Sequence, residues 1–326
     1  MIDIIIPAYN AHKTINQTLA SIAFQDCVDL LNIYIVNDCS EKDYSEFIDY
    51  YSNFMNIHEL CLEENSGPGQ ARQYGIDNSS SDYILFIDSD DVLSDNFAIR
   101  RLYDGIVNSE SDIAVSGFYE EKNFGFIFHD ISYVWMHGKM YKRDYLKKHN
   151  IRFNKTRSNE DCGFNHLCYL CGASYINVSG ISYIWQNNLG SITRENDGKT
   201  FRNNIKSFVD NMMWALDEAK KRNFDKNRFA DITFGTIVSS YHYYLQNDEL
   251  FKDGLLFNKL SKLINYYDDS DITDEKKVEI IKKQLFADIS GPSLIKVYDP
   301  YISLREFIDI LRSKKGEVWW LALLFL

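Results

Sequence analysis

The chain has 326 residues, 45% of them hydrophobic and 25% charged, enough for one large domain plus a smaller one without disulfide staples. A net charge of −12 argues against a nucleic-acid binder, which normally shows a basic face, so no nucleic-acid partner is expected. An acidic protein that handles an anionic ligand needs a local cation, either a basic patch or a bound metal.

Residues 1–120 alternate short apolar runs with helical patterns. Ile2–Pro7, Asn32–Asn37, Ile57–Leu62, Tyr83–Asp88 and Asp112–Gly117 read as strands. Several are apolar at successive residues, as strands covered on both faces are. Between them, Lys13–Phe24, Ser45–Phe54, Gly69–Asn78 and Asp95–Asn108 read as helices. This order gives an α/β fold with a mostly parallel, doubly wound sheet flanked by helices. In such sheets ligands bind outside the C-terminal strand ends.

Between Phe118 and Trp185 the pattern is mixed, with strands near Phe124–Phe128 and Ile181–Trp185 and helices near Arg143–His149 and Asp161–Gly172. Cys162, Cys168 and Cys171 fall in the second of these helices without a matching ligand pair, and read as core. From Gly198 the chain reads as helical: Thr200–Arg222, Arg228–Asn247, Leu255–Tyr267, Asp274–Phe286 and Ser303–Arg312. The expected division is a catalytic domain over 1–197 and a smaller all-helical domain over 198–326. That second domain would serve acceptor binding, oligomerisation or membrane association. The apolar stretch after Glu317, with Trp319 and Trp320, is too short to span a bilayer. It suits peripheral membrane contact or a docking helix in a homo-oligomer. No secretion signal is recognisable at Met1, and a cytoplasmic location, with the inner membrane face as a peripheral site, is the expectation.

Four strand-end motifs carry the chemistry. Pro7-Ala8-Tyr9-Asn10 follows the first strand and can offer backbone groups and a ring to a planar base. Asn37-Asp38-Cys39-Ser40 closes the second; Asp38 could accept a base N–H or cap the next helix. Asn65-Ser66-Gly67-Pro68-Gly69 leads into a helix bearing Arg72, with glycines for close backbone approach and a fixed positive charge one turn on. The strongest is Asp88-Ser89-Asp90-Asp91, at the end of the apolar run Ile84–Ile87. Carboxylates this close repel unless a cation binds or one is protonated. Hard oxygen ligands suit Mn²⁺ or Mg²⁺, which can hold a diphosphate. Downstream, Glu160-Asp161 opens a helix, where one residue can cap and the other act as a base.

In this order the motifs resemble the family 2 inverting glycosyltransferases of GT-A (Rossmann-like) fold, of bacterial surface-polysaccharide type, over roughly residues 1–195. Trp135 to Arg143 is similar to that family's mid-domain segment, and Tyr183-Ile184-Trp185 with Gly190 to Arg194 to the segment that closes its catalytic domain. The resemblance implies a UDP-sugar donor and a glycan or glycopolymer acceptor. It places Pro7, Tyr9, Asn10, Asp38, Asn65, Gly69, Arg72, Asp88, Ser89 and Arg194 on the donor, with Asp38 at uracil. Asp88 and Asp90 would hold the metal, and Asp161 would be the catalytic base. Asn37 and Gln186 stand where many members carry Asp and Arg. Two rival functions share such a sheet, a nucleotidyltransferase and a non-catalytic nucleotide-sugar-binding module. The first would want a Gly-rich basic loop after strand one, which Tyr9 to Lys13 does not supply.

Overall fold

The computed structural model describes residues 1–188, 198–246 and 254–268, together with Thr273, Glu275, Glu279 and Asp309. The chain divides into two compact units, Met1–Glu195 and Asn196–Leu326. Apart from Glu275, Glu279 and Asp309, the expected helices Asp274–Phe286 and Ser303–Arg312 lie outside the described residues, as do the Trp319–Leu326 tail and the segment Gly190–Arg194.

The first unit begins with β1 (Ile2–Ala8), α1 (Ile15–Ala23), β2 (Leu31–Asn37), α2 (Ser45–Tyr51), β3 (Asn56–Cys61), α3 (Pro68–Asp77) and β4 (Tyr83–Phe86). β1 pairs in parallel with β2 and β4, and β2 with β3. Every residue of β1 is buried, as a strand covered on both faces requires, including Asp3, the one charged residue in its apolar run. Ile2, Ile4 and Ile6 share one core with Leu19 and Ile22 of α1 and Ile33 and Ile35 of β2. On α3, Gly75 lets the helix lie close on β1, because a Cβ there would stand 2.5 Å from Ile5 Cγ2.

The second half of the unit adds β5 (Val92–Leu93), α4 (Ala98–Ser109), β6 (Ile113–Lys122), β7 (Gly125–His129), β8 (Lys139–Lys142), α5 (Arg143–Lys148), α6 (Glu160–Leu170) and β9 (Tyr175–Trp185). The sheet order is β3-β2-β1-β4-β8-β6-β9-β5, with β7 paired to β6. β8 runs antiparallel to both β4 and β6, so the parallel half gives way to a mixed one at the edge of β4. Tyr83–Asp88 was expected as one strand. It ends at Phe86, because Ile87 onward turns to present the aspartates.

A buried ion pair far from the strand tips fixes the join between the halves. Arg143 Nη2 lies 2.7 Å from Asp3 Oδ2, with both side chains almost wholly buried. Arg143 also donates to the carbonyls of Ser81 and Ile76, and Asp3 accepts from the Ser81 amide. Every polar group there is paired, which is what makes a buried charge tolerable.

The second unit contains α7 (Gly198–Lys220), α8 (Lys226–Gln246) and α9 (Gly254–Asp268) among the described residues. On α7, Ile205, Val209, Met212, Leu216 and Ala219 are buried at helical spacing. Among the described residues, no helix is long and apolar enough to cross a membrane.

Candidate active site

The strand-end motifs gather at one end of the parallel half. β1 and β2 are in register, so Ala8 lies beside Asn37, and the Asp38 amide donates to the Ala8 carbonyl. Asp38 is buried, and its two carboxylate oxygens accept the amides of Ser66 at 2.7 Å and Gly67 at 2.8 Å. Asn65 donates from its side chain to the Asp38 carbonyl. Asp38 thus folds the Asn65–Gly67 loop onto the tip of β2. Asn65 is gripped a second time by Arg157, which donates to its side-chain oxygen at 2.7 Å and its carbonyl at 2.9 Å. The preceding residues gave no sign of Arg157, which comes from the irregular stretch before α6.

Beside this loop, Pro7 is buried in β1 while Tyr9 is 55% exposed, its ring open to solvent at the rim. Asn10 takes a left-handed backbone (φ 51°) and exchanges bonds with the Ser40–Glu41 turn. Gly67, with φ 88°, precedes α3, and Pro68 supplies the first helical residue. Gly69 opens α3, and the space its missing side chain leaves is taken by Glu160, whose Cγ would lie 2.6 Å from a Cβ there.

Arg72, expected as a positive charge for the ligand, is buried and engaged. Nη1 donates to Glu160 Oε1 at 2.7 Å and Nη2 to Asp88 Oδ1 at 2.5 Å. Burial opposes its charge, but Asp88 and Glu160 more than offset that and hold it firmly protonated. Asp88 in return is held below the usual carboxylate range: burial works against its charge, and Arg72 and then His137 outweigh it. This bridge links α3, the tip of β4 and the first turn of α6.

The acidic motif divides by environment. Asp88 is half-buried and its amide donates to Tyr183 Oη. Ser89 and Asp90 are also half-buried, and Asp90 Oδ2 accepts the Asn188 side-chain amide at 3.0 Å. Asp91 is buried; it accepts Tyr183 Oη–H at 2.7 Å and the Gln186 amide at 2.8 Å. Burial, then the charges of Asp88 and Asp90, push the Asp91 carboxyl well above its ordinary range.

Asp88, Asp91 and His137 each offer one ligand atom, and the three atoms lie within 4.8 Å of one another. His137 Nδ1 is buried without a hydrogen-bond partner. Burial holds the imidazole neutral, with a pKa of about 4. Crowded carboxylates beside an unpartnered imidazole nitrogen are a donor set that fits a divalent cation. His137 escaped the sequence reading because it sits among aromatics, in Trp135-Met136-His137, where a histidine reads as core. Its ring is indeed stacked on Tyr183, at 4.8 Å between centroids.

Glu160 and Asp161 form the first turn of α6, where a carboxylate is favoured by the helix dipole. Glu160 is committed to Arg72. Asp161 is half-buried in a dense surround that raises its carboxyl above the usual range, with Arg72 and Lys139 pulling the other way. Lys139, on β8, is buried, and burial lowers its pKa to about 7. It donates to the Trp135 carbonyl. Arg194 lies outside the described residues, so its place relative to these groups is not part of the geometry.

The acidic cluster and the buried Arg–carboxylate bridge lie at the strand ends of the parallel α/β half, where ligands bind in sheets of this kind. Residues 3–163 match the family Glycosyl transferase family 2, and this region is a domain of that family. Among curated proteins the chain is 27% identical over 222 residues to Glycosyltransferase GlyA of Streptococcus pneumoniae, covering 59% of this chain and 31% of that protein. It is 34% identical over 93 residues to the poly(ribitol-phosphate) beta-N-acetylglucosaminyltransferase TarS of Staphylococcus aureus, 28% of this chain and 16% of TarS. The chain therefore spans less than a third of the length of either relative. The structure of TarS residues 1–349 in complex with UDP-GlcNAc superposes with a TM-score of 0.68 at 18% identity, covering 89% of this chain and 92% of that one. A mannosyltransferase from Pyrobaculum calidifontis, in complex with GDP-Man and Mn²⁺, gives 0.54 at 11% identity, over 98% and 87%. The fold is thus the GT-A fold that the motifs implied.

Proposed function

We propose that this chain transfers a sugar from a UDP-sugar to a hydroxyl of a glycan or glycopolymer, with inversion and with the help of Mn²⁺ or Mg²⁺. The observation that carries the proposal is the bridge from Asp88 through Arg72 to Glu160, which ties the acidic motif to the turn that bears Asp161. The solved TarS complex holds UDP-GlcNAc, which supports a uridine nucleotide and a hexosamine as first candidates.

Tyr9, Asn10, Asp38 and Asn65 form the base end of the donor site in this reading, and Asp88 and Ser89 its sugar end. Asp38 does this through the loop it folds, because both of its oxygens already accept backbone amides. Arg72 positions Asp88 and Glu160. Asp161 takes the proton from the acceptor hydroxyl as that oxygen attacks the anomeric carbon, and the diphosphate departs on the opposite face. A carboxyl with a raised pKa is a better base near neutral pH than an ordinary one. Lys139 acts on Asp161 electrostatically, offsetting part of the burial that raises its carboxyl. A bound cation would neutralise charge on the departing diphosphate, worth several kcal/mol at roughly that scale. Asp88 is common to both candidate ligand sets; the sequence pairs it with Asp90, the geometry with Asp91 and His137. We assign the catalytic unit to residues 1–197, working in the cytoplasm, with 198–326 as an accessory helical domain.

The two ligand sets separate cleanly by titration. Mn²⁺ binding to Asp90→Asn and to His137→Phe, followed by electron paramagnetic resonance, shows which change removes the ion. Loss in the first supports the outer set and loss in the second the inner one. Undiminished binding in both would remove the metal from the acidic motif.

A further inference from the structure

The hairpin β6–β7 leaves an unusual amount of aromatic surface uncovered. Phe124, at the turn, is fully exposed, Phe126 is 58% exposed and Phe128 54%. Strand pairing sets Tyr119 opposite Phe128 and Glu121 opposite Phe126, so these four share one face of the ribbon. The rings touch: Tyr119 lies 5.9 Å from Phe126 and 6.0 Å from Phe128, centroid to centroid. The other face carries Phe118, Glu120 and His129, which are turned inward, with His129 stacked on Phe118 at 4.6 Å, and the exposed Ile127 opposite Glu120. One face therefore builds the domain, and the other presents three rings in a row.

The free end of this hairpin is fastened to the acidic motif. Glu121 accepts the Asn187 amide at 2.9 Å, and Asn123 accepts the Asn187 side-chain amide at 2.8 Å. The neighbouring residues Gln186 and Asn188 bond Asp91 and Asp90. At the opposite end the aromatic row runs into a cavity of about 280 Å³ lined by Gly117, Phe128, Asp130, Asn177 and the turn Ser179–Gly180. Four residues of strand, about 13 Å at a rise of about 3.3 Å each, separate Glu121 from Gly117. The surface is thus an aromatic track that starts beside the acidic motif and ends in a mostly apolar pocket with Asp130 and Asn177 in its wall.

Three features select the occupant. Ring faces in a row suit the apolar faces of pyranose rings, and the flanking Glu121, Asp130 and Asn177 offer hydrogen bonds to hydroxyls. Those same acidic groups, on a chain of net charge −12, disfavour an anionic bilayer. Continuity with the acidic motif ties the track to the reaction rather than to a distant contact. We propose that Tyr119, Phe126 and Phe128, with the Asp130–Asn177 cavity, bind the sugar chain of the acceptor beyond the residue that is glycosylated. This rests on the sugar-transfer reading above and adds to it a polymeric, uncharged-ring acceptor held on the β6–β7 face.

The test uses the full chain and needs no turnover. Saturation-transfer NMR is recorded with chitotetraose, cellotetraose, maltotetraose and mannotetraose, each beside its monosaccharide. At least one tetraose should show transfer to its ring-face protons, absent from the monosaccharide. The Phe126→Ser/Phe128→Ser variant should weaken that binding by about tenfold or more, with an unchanged circular dichroism spectrum and unchanged UDP affinity. A tetraose signal equal in parent and variant, or none in any of the four, overturns the proposal. So does sedimentation showing a dimer, or flotation with phosphatidylglycerol vesicles, that the double substitution abolishes. UDP release from UDP-sugars is measured in parallel. Its absence alongside Phe-dependent tetraose binding would sink the transferase reading while leaving the track intact.

Discussion

Asp161→Asn is expected to lower transfer by about 10²–10⁴-fold, the usual value of a positioned base, while UDP binding stays at the parental level. The substitution keeps the size and shape of the side chain, so the loss reports chemistry and not collapse. The parental pH profile provides a second reading. Burial raises the Asp161 carboxyl above its ordinary range, so the acid limb of kcat should lie above that of a solvent-exposed aspartate. Activity falls as pH drops through that raised pKa, since the base must be ionised to accept a proton. Stability should move the other way. An acid whose folded pKa exceeds its unfolded value binds more protons in the folded state, so the fold loses stability as pH rises through the two values. Asp161→Asn removes that loss, and at neutral pH the variant should melt at or above the parental temperature. Transfer by the variant at the parental rate, or a melt well below it, would contradict the role.

Arg72→Met should be strongly destabilising. It fills a similar volume but leaves Glu160 buried and Asp88 half-buried without their shared cation. Removing one partner from a buried ion pair costs about 3–5 kcal/mol, because the remaining charge stays desolvated. Urea unfolding at pH 7 should show a loss of that order, shrinking as pH falls and the two carboxyls take up protons. Adding Glu160→Gln to Arg72→Met should recover part of it, because the neutral amide no longer needs a counter-charge. A loss under about 1 kcal/mol would mean that solvent reaches the bridge and screens it, as at an exposed pair.

These expectations show where sequence was sufficient. β1, β2 and β4 were legible because strands covered on both faces are largely apolar, and Ile2 to Ile6 carries one polar residue, Asp3, among four isoleucines. Asp88 to Asp91 was legible because four polar residues directly after such a run are costly unless they have work to do. What was not legible depends on contacts distant in sequence. Arg72 reads as a cation one helical turn past a glycine loop, and only the approach of α6 turns it into a bridge between Asp88 and Glu160. Gly69 reads as room for a ligand, and the room is occupied by Glu160. His137 is concealed in a segment whose short strand β8 has no clear periodicity, and which enters the sheet antiparallel between β4 and β6. β9 was expected only from Ile181, but begins at Tyr175. An irregular register opposite Ser116–Phe118, with Gly180 at φ 98°, breaks its pattern in two.

The aromatic hairpin has a similar history. Phe124–Phe128 was expected as a strand, which it is, shifted by one residue to Gly125–His129. Its exposure could not be foreseen, since a run of phenylalanines ordinarily belongs to a core.

The most direct test of the central claim is UDP release from UDP-GlcNAc and a panel of other UDP-sugars, measured without acceptor, with Mn²⁺ and then with EDTA. Slow release from at least one donor, stopped by EDTA and restored by added Mn²⁺, is the predicted result. No release from any donor, or release indifferent to EDTA, would contradict a metal-assisted sugar transferase built on Asp88 to Asp91.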